Sequence, residues 1–326
     1  MKDKKNLRPL EQGIKLDVSE RSNYGGYLCL DTLFSAQKPL SDPQHHDEML
    51  FIIQHQTSEL WLKLIVHELN EAIHCVQIKR LGRASKILAR VKQIQKQLFE
   101  QWAVLETLTP SEYMQFRHVL GNASGFQSVH YRQVEFLLGN KNKKMIKVFP
   151  EGTDSRQILE QVLDSPSIYD AFIKHLYQEG YGVPESLVNR DVRKPHEFNQ
   201  KLMEVLIAVY QRPDQHWSIY ALCEQLVDVE QSFQLWRFRH MKTVERIIGF
   251  KQGTGGSSGV SFLKKALELT FFPELLKLRT ELWRKHLSKR FQSTVTHSNQ
   301  IGIEKNRCWH KCPLALWFPL SESIRS

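Results

Sequence analysis

Glycine and proline are scarce in this chain, which has 16 Gly and 12 Pro among 326 residues. Because both residues interrupt helices, their scarcity leaves room for long helices, and the stretches between them have helical periodicity. The strict alternation of apolar and polar residues that is typical of strands is missing. Hydrophobic residues make up 41% of the chain, enough for a sizeable core. The sequence therefore predicts an all-α fold.

Cysteine is also scarce, and no long apolar run is present. An odd number of widely spaced cysteines does not resemble a disulfide framework and favours a reducing cytoplasm. The charged N-terminus lacks an apolar core segment, so we expect no signal peptide. No window approaches the roughly 18 apolar residues of a transmembrane helix. We therefore predict a cytoplasmic protein without a membrane partner; its five cysteines are Cys29, Cys75, Cys223, Cys308 and Cys312.

The formal net charge of +10 permits nucleic-acid binding. The basic residues, however, are spread along predicted helices and into the C-terminal tail, and no aromatic platform lies among them. Such a distribution is typical of a solvated basic surface. We expect no nucleic-acid partner.

The most informative stretch is Trp217–Gly249, which predicts one long helix that ends at a glycine. Its apolar residues recur every three or four positions, and His240 lies in the same stripe. This histidine is either a neutral core residue bonded to a backbone carbonyl or a metal ligand, as in heme proteins with one proximal histidine. The stripe comprises Leu222, Leu226, Val229, Phe233, Trp236, His240, Val244 and Ile247, and suitable heme-lining residues are Phe233, Trp236, Phe238 and Val244.

A second helix is predicted from about Glu48 to about Val76. Residues 41–48 form its start, and we interpret His45-His46-Asp47 there as a capping feature. Phe51 and His55 lie one turn apart on it, so that an aromatic ring and an imidazole project into the same space. Glu59 follows one turn later. The pair His55 and Glu59 is either a metal site or an ordinary helix-face pair.

A third helix is predicted over Ala84–Leu108, followed by a capping box at Thr109-Pro-Ser-Glu112. The short helix that this box opens contains Tyr113 and Arg117 on one face. A phenol and a guanidinium together form a good carboxylate receptor, although Arg117 alone could be a surface residue. The glycine-rich loop after Gly249 lacks the features of a phosphate loop, but its backbone N–H groups and Thr254 could bind a carboxylate or an ammonium group.

We divide the chain into a mobile N-terminal segment (1–22), one helical domain (23–290) and a divergent, loosely ordered tail (291–326). Prolines divide the weaker region around 145–197, which predicts a small helical excursion from the main bundle. Core periodicity returns at Phe198–Tyr210, and further helices are predicted at Phe262–Leu269 and Phe271–Leu287. In the tail, Cys308-Trp-His-Lys-Cys312 is interpreted as loosely packed chain rather than half of a zinc site.

Taken together, these motifs resemble the tryptophan 2,3-dioxygenase family in its bacterial form, from about Tyr24 to about Leu287. They occur in the order of the family, and their combination is specific although each one alone is weak. The motifs are Tyr24-Gly-Gly-Tyr-Leu28, His45-His-Asp-Glu48, Phe51 with His55-Gln and Glu59-Leu-Trp61, Phe116-Arg117, Ala123-Ser-Gly-Phe-Gln-Ser128, Arg239-His240 and Gly253-Thr-Gly-Gly-Ser-Ser-Gly259.

The resemblance implies a helical bundle whose long core helices enclose a heme pocket, with one heme b per subunit that is ferrous in the active state. His240 would be the proximal iron ligand. His55 would act as the catalytic residue on the distal side, hydrogen-bonded to the indole N–H of L-tryptophan. The other implied substrate contacts are Phe51 against the indole, Tyr113 and Arg117 on the carboxylate, and Thr254 at the amino-acid end.

The resemblance also implies a homotetramer in which an N-terminal arm, formed by Tyr24, Tyr27 and Leu28, reaches the substrate site of a neighbouring subunit. The positions that match the lining of the heme pocket are Trp102, Ser124, Gly125 and Tyr131.

The implied reaction inserts both atoms of O₂ across the indole C2–C3 bond and gives N-formyl-L-kynurenine, the first step of tryptophan catabolism by the kynurenine pathway. The indole is already electron-rich, so the residues need to orient the reactants rather than supply a strong base. Two other interpretations stay open: a heme protein that binds or senses a ligand without turnover, and a basic helical scaffold that binds nucleic acid without a cofactor.

Overall fold

The computed structural model describes residues 10–14 and 23–283. The chain divides into two compact units, Met1–Leu276 and Lys277–Ser326. The first unit contains every predicted site residue. Of the second unit, residues 277–283 are described, and they are helical. The motif Cys308–Cys312 lies outside the described residues, and the three-part division of the chain stays a prediction.

Within residues 10–14 and 23–283 the secondary structure is helical and contains no strand, which confirms the all-α prediction. None of the helices in these ranges is long and apolar enough to span a bilayer. Short 3-10 helices occur at Arg117–Leu120, Gly125–Gln127, Lys143–Val148 and Pro213–Gln215, and residues 273–283 are also helical. The α-helices are α1 (Tyr24–Leu28), α2 (Leu30–Phe34), α3 (His46–Gln77), α4 (Leu81–Glu100), α5 (Trp102–Leu105), α6 (Pro110–Phe116), α7 (Val129–Leu138), α8 (Asp154–Asp164), α9 (Ile168–Gln178), α10 (Glu185–Val188), α11 (Gln200–Gln211), α12 (Trp217–Ile248) and α13 (Val260–Ala266).

Three long helices form the core of the first unit. α4 packs against both α3 and α12, while α7 and α9 pack on α3 and α13 packs on α12. The interior is apolar, with Leu69 of α3, Leu88 of α4 and Leu226 of α12 fully buried. Burial of these stripes supplies most of the stability of such helices, because helical propensity alone is marginal in water.

The periodicity of α12 predicted its buried face well, with one exception. Of the eight stripe residues, six are buried, and His240 and Val244 are partly buried. Phe238, proposed as heme lining, is 47% exposed. It lies two residues from both Trp236 and His240, about 200° around the helix from each. Phe238 therefore faces away from the site, and that assignment was wrong.

Local signals predicted several helix ends. His45 is the N-cap of α3, where its Nδ1 accepts from the backbone N–H of Asp47 at 3.3 Å, which confirms its capping role. The capping box of Thr109 and Glu112 is present at α6. The predicted helix 84–108 differs, because it begins at Leu81, is interrupted at Gln101 and ends at Leu105.

An apolar cluster joins the excursion over 145–197 to α7, and it includes Phe136 of α7 together with Phe149 and Leu159. Lys141 is buried beside it. Its Nζ donates to the carbonyls of Val162 and Ser165, each at 2.6 Å, near the C-terminal end of α8. Burial lowers the pKa of Lys141 to about 8. The ammonium thus caps a helix end whose carbonyls have no helical partner.

Candidate cofactor and substrate site

The imidazole of His240 lies beside two indole rings that are nearly parallel to it. Trp102 of α5 stacks on it with ring centroids 4.8 Å apart and an interplanar angle of 13°. Trp236, one turn earlier on α12, lies 6.3 Å away at 17°. The stacked Trp102 ring restricts rotation of the imidazole.

Burial, and to a smaller extent His55, lowers the pKa of His240 to about 4. His240 is therefore neutral at physiological pH and can offer a nitrogen lone pair to a metal. In the described part of the chain, its ring nitrogens have no hydrogen-bond partner. The alternative of a core histidine bonded to a backbone carbonyl thus has no support in these residues.

His55 on α3 is held in one tautomer. Its Nδ1 lies 2.7 Å from the carbonyl oxygen of Phe51. Because a carbonyl can only accept, Nδ1 must donate, and Nε2 keeps its lone pair. Burial lowers the pKa of His55, partly opposed by the Phe51 carbonyl and by Glu59. His55 is thus a neutral hydrogen-bond acceptor.

The possible metal pair of His55 and Glu59 is not formed. The carboxylate of Glu59 instead lies 3.0 Å from Nδ1 of His130 on α7. Among residues 10–14 and 23–283, no group of three or more His, Cys, Asp or Glu side chains could hold a metal ion. Any metal held by these residues would therefore have fewer than three such side chains as ligands and would need further ligands from another molecule.

An aromatic wall lies beside His55. The Phe51 ring is 4.1 Å from the His55 ring and 5.9 Å from the Tyr113 ring, and Phe116 completes the group at 5.7 Å from Phe51. Burial raises the pKa of Tyr113, and the nearby Arg117 guanidinium opposes this effect. The structure thus brings together Phe51, His55, Tyr113 and Arg117, as the sequence predicted.

Arg117 connects this wall to the glycine-rich loop, where its Nη2 donates to the carbonyl of Gln252 at 2.9 Å. Its Nε is buried and has no partner in the described ranges. An unpaired buried guanidinium N–H is costly and is satisfied well by a carboxylate. Thr254 follows Gln252 by two residues and donates its hydroxyl hydrogen to the carbonyl of Ala123.

The glycine-rich loop packs tightly, which explains two of its glycines. A Cβ on Gly255 would lie 2.6 Å from the Cβ of Ser124, the N-cap of the 3-10 helix that begins at Gly125. Gly259 has φ +59°, and a Cβ there would lie 2.6 Å from the carbonyl oxygen of Lys251. Close backbone approach thus brings Ser124, Gly125 and Thr254 into one region.

Behind Trp236 lies a buried ionic network that sequence reasoning missed. Tyr131 packs 5.6 Å from Trp236, and its hydroxyl donates to Glu135 at 3.0 Å. Arg237 donates to the same carboxylate at 2.6 Å, and Arg132 also contacts it. Burial raises the pKa of Tyr131, so the phenol stays protonated. The spacing of Tyr131 and Glu135 by one helical turn was the only local signal.

The predicted N-terminal arm does not contact the other site residues. Tyr24 and Tyr27 on α1 are 77% and 82% exposed, and Leu28 is also exposed. Among the described residues, no hydrogen bond or ring contact joins these side chains to the site.

The residues present fit a heme group. His240 offers a neutral imidazole in a largely aromatic setting, as axial ligation of heme iron requires. The buried indole N–H groups of Trp102 and Trp236 have no partners in the described residues, and such donors suit the propionates of a heme. Fold and site together are those of an all-α protein in which one buried neutral histidine could hold a heme, beside an arginine that could receive a carboxylate.

Comparison with known proteins identifies the family. The family model for tryptophan 2,3-dioxygenase matches residues 10–166 and 184–282. A tryptophan 2,3-dioxygenase of Serratia proteamaculans (strain 568) is 60% identical over 277 residues, which is 85% of this chain and 99% of the relative. Those of Arthrobacter sp. (strain FB24) and Myxococcus xanthus (strain DK1622) are 57% and 58% identical, over 86% and 85% of this chain and 99% and 95% of the relatives. The chain belongs to the tryptophan 2,3-dioxygenase family.

Proposed function

We propose that this chain cleaves the indole ring of L-tryptophan with O₂ on one heme b per subunit, ligated by His240 and ferrous in the active state. The family is heme-dependent and oxidises tryptophan in the first step of the kynurenine pathway, so the chain is an oxidoreductase of the dioxygenase class. The observation that carries the proposed ligand is the buried, neutral His240 imidazole, on which Trp102 stacks and beside which Trp236 lies nearly parallel.

The bound heme supplies O₂ activation, and N-formyl-L-kynurenine is the product. The residues of the chain bind and orient the substrate. We assign the substrate carboxylate to Arg117, whose Nε is buried and unpartnered in the described residues, and to the neighbouring Tyr113 hydroxyl. We assign the ammonium group to Thr254. Its hydroxyl hydrogen is donated to Ala123, so only its lone pairs remain for the ligand.

We propose that the indole packs against Phe51 and donates its N–H to Nε2 of His55. Support comes from the tautomer, because the Phe51 carbonyl occupies Nδ1 and leaves Nε2 as an acceptor. His55 then orients the ring and keeps the indole N–H paired during the reaction. Trp102, Ser124, Gly125 and Tyr131 are assigned to the heme pocket. Trp102 contacts His240, Tyr131 contacts Trp236, and Ser124 supports the glycine-rich loop.

Replacing His55 by alanine is expected to lower kcat/KM by about two- to tenfold, because that ratio corresponds to the net free energy of one neutral hydrogen bond. The wild type should also lose activity as pH falls through the lowered pKa of His55, because protonated Nε2 can no longer accept. The midpoint of this acid limb is expected below 6.5, and His55→Ala should lack the limb. Total loss of turnover in His55→Ala with intact tryptophan binding would instead indicate a true catalytic base.

Replacing Gly259 by alanine is expected to raise KM for tryptophan. The left-handed backbone and the contact with the Lys251 carbonyl together cost about 1–3 kcal/mol, roughly 5- to 150-fold if expressed fully in binding. Steady-state kinetics measure the effect. The matched control is Gly82→Ala in α4, where a Cβ would meet nothing within 4 Å. An unchanged KM in Gly259→Ala would mean that the loop does not shape the substrate site.

We further propose a cytoplasmic homotetramer in which residues 23–290 form one heme-dioxygenase domain. The exposed aromatic arm of Tyr24, Tyr27 and Leu28 supports an assembly in which a neighbouring subunit covers it. Cys75 and Cys223 are buried and Cys29 is exposed, and none of the three forms a disulfide within the described residues, which suits a reducing compartment.

Turnover tests the proposed function against a heme protein that only binds its ligand. Heme-loaded, reduced protein is mixed with L-tryptophan in air, and N-formyl-L-kynurenine is followed by its near-ultraviolet absorbance. Stoichiometric excess of product over protein supports the dioxygenase. A heme protein that binds tryptophan without product would instead be a sensor. A colourless protein with salt-dependent affinity for DNA or RNA would be the basic scaffold.

A further inference from the structure

Glu106, which follows α5 directly, receives side chains from three successive turns of α12. Arg239 donates to both carboxylate oxygens of Glu106, from Nε and Nη2, each at 3.1 Å. The Thr243 hydroxyl lies 3.0 Å from Oε1 of Glu106. Arg246 donates to the backbone carbonyl of Glu106 at 3.0 Å. The guanidinium of Arg239 also lies over the Phe99 ring at 4.7 Å.

This cluster, the Glu106 clamp, lies next to the stack of Trp102 and His240. Trp102 is one turn before Glu106, and the backbone N–H of Glu106 donates to the Trp102 carbonyl at 2.8 Å. On the other helix, His240 follows Arg239 directly. The ionic clamp and the ring stack therefore join the same two segments, α5 and α12, side by side. Loss of the clamp would remove these polar contacts between α12 and the residue that follows α5, one turn from Trp102.

We propose that Glu106 is a positioning residue for His240, holding Trp102 against the imidazole and so setting the plane of the iron ligand. This proposal rests on the proposed function, since it presumes that His240 ligates the heme. Glu106 does not touch the imidazole. It acts through Arg239 and Trp102, as outer partners of metal ligands do elsewhere. The Arg239 guanidinium holds the pKa of the Glu106 carboxyl below its usual range, so the clamp is ionic at physiological pH.

The test compares Glu106→Gln with a matched ionic pair away from the site. Glu68 on α3 binds Nη1 of Arg90 on α4 through both oxygens, at 2.9 and 3.0 Å. Glu68 lies 13 residues beyond His55, about 20 Å along the helix. Both substitutions remove one carboxylate charge and one bidentate contact between helices. Each full-length variant is loaded with heme, and three quantities are measured: the rate of heme transfer to excess apomyoglobin, the iron–histidine stretching frequency of the ferrous form, and the melting temperature.

Glu106→Gln is expected to lose heme about tenfold faster than wild type or more, with a shifted iron–histidine frequency. Glu68→Gln is expected to keep the wild-type rate of heme loss and the wild-type iron–histidine frequency. This should hold even if its melting temperature falls as far as that of Glu106→Gln. If Glu106→Gln has the wild-type rate of heme loss and the wild-type iron–histidine frequency, the proposal is overturned. Equal acceleration of heme loss in the two variants would also overturn it, because the effect would then be general destabilisation.

Thr243→Val is a second variant, which removes the hydroxyl contact with Glu106 and keeps the ion pair of Arg239 and Glu106. It is used if Glu106→Gln does not fold. It is expected to shift the iron–histidine frequency in the same direction by a smaller amount, and an unshifted frequency would count against the clamp. Failure of the proposed function has a different signature. In that case either the wild-type protein shows no iron–histidine stretching band, or His240→Ala still shows that band. Neither result depends on the behaviour of Glu106→Gln.

Discussion

Replacing His240 by alanine is expected to abolish stable heme binding. The imidazole is neutral because burial lowers its pKa to about 4, and Trp102 stacks on it. Among the described residues no group of three or more His, Cys, Asp or Glu side chains could hold a metal ion instead. We expect the purified variant to be colourless or to lose heme during gel filtration, and to have no turnover. Absorbance of the heme-supplemented protein before and after filtration measures this.

The control for His240→Ala is His175→Ala. His175 on α9 is also a buried histidine, 5% exposed, with a lowered pKa and an Nδ1 that has no partner in the described residues. It is remote from α12 in the sequence, and its variant should keep heme. Free imidazole should restore a heme spectrum to His240→Ala if the variant is folded, because it can enter the space of the lost ring. A His240→Ala protein that is heme-loaded and active without imidazole would contradict the assignment.

Replacing Arg117 by alanine is expected to raise KM for tryptophan steeply while the heme content stays normal. The guanidinium contacts Gln252 in the glycine-rich loop and interacts with Tyr113. Its loss leaves the substrate carboxylate without its charged partner and the loop without one anchor. Truncating one partner of such a pair costs about 2–4 kcal/mol, roughly 30- to 1000-fold in KM. Arg117→Lys should restore the wild-type KM only in part, because an ammonium group cannot form the bidentate contact with both carboxylate oxygens.

A ligand without a carboxylate separates the charge effect from general damage. Tryptamine has the indole and the ammonium group of tryptophan but no carboxylate, so its affinity for Arg117→Ala should fall only by the effect of losing the loop contact with Gln252. A much larger loss of affinity for tryptophan than for tryptamine assigns the difference to the carboxylate contact. Arg156→Ala, at an exposed ion pair with Glu160 on α8, should leave the affinity for tryptophan unchanged. Equal tryptophan affinity in Arg117→Ala and wild type would remove Arg117 from the site.

The long helices could be predicted from the sequence because one periodic pattern determines both helix and buried face. The stripe of α12 is an example, and α3 lies within two residues of its predicted bounds. The interruption at Gln101 was not predictable in the same way. Residues on both sides of it continue the apolar stripe, so the pattern alone favours one continuous helix. Phe238 was misassigned because an aromatic residue close in sequence to His240 need not share its face.

The individual site residues could be named from motifs, but their contacts could not. The stacking of Trp102 on His240 depends on how α5 meets α12, which no local pattern encodes. The same holds for the ion pairs behind the site. Glu106 and Arg239 are 133 residues apart, and Glu135 and Arg237 are 102 residues apart. Charged residues on helices usually indicate a solvated face, so only packing of the helices reveals which charges are buried together.

The central claim is that His240 holds a heme at which tryptophan is oxidised. Its most direct test is an absorbance spectrum of heme-supplemented, dithionite-reduced protein without air, followed by addition of L-tryptophan and then air. We expect a five-coordinate ferrous histidine–heme spectrum, and then a near-ultraviolet rise from N-formyl-L-kynurenine that continues over many turnovers. A protein that takes up no heme would contradict the role of His240. A normal ferrous spectrum with no product after air is admitted would contradict the proposed reaction.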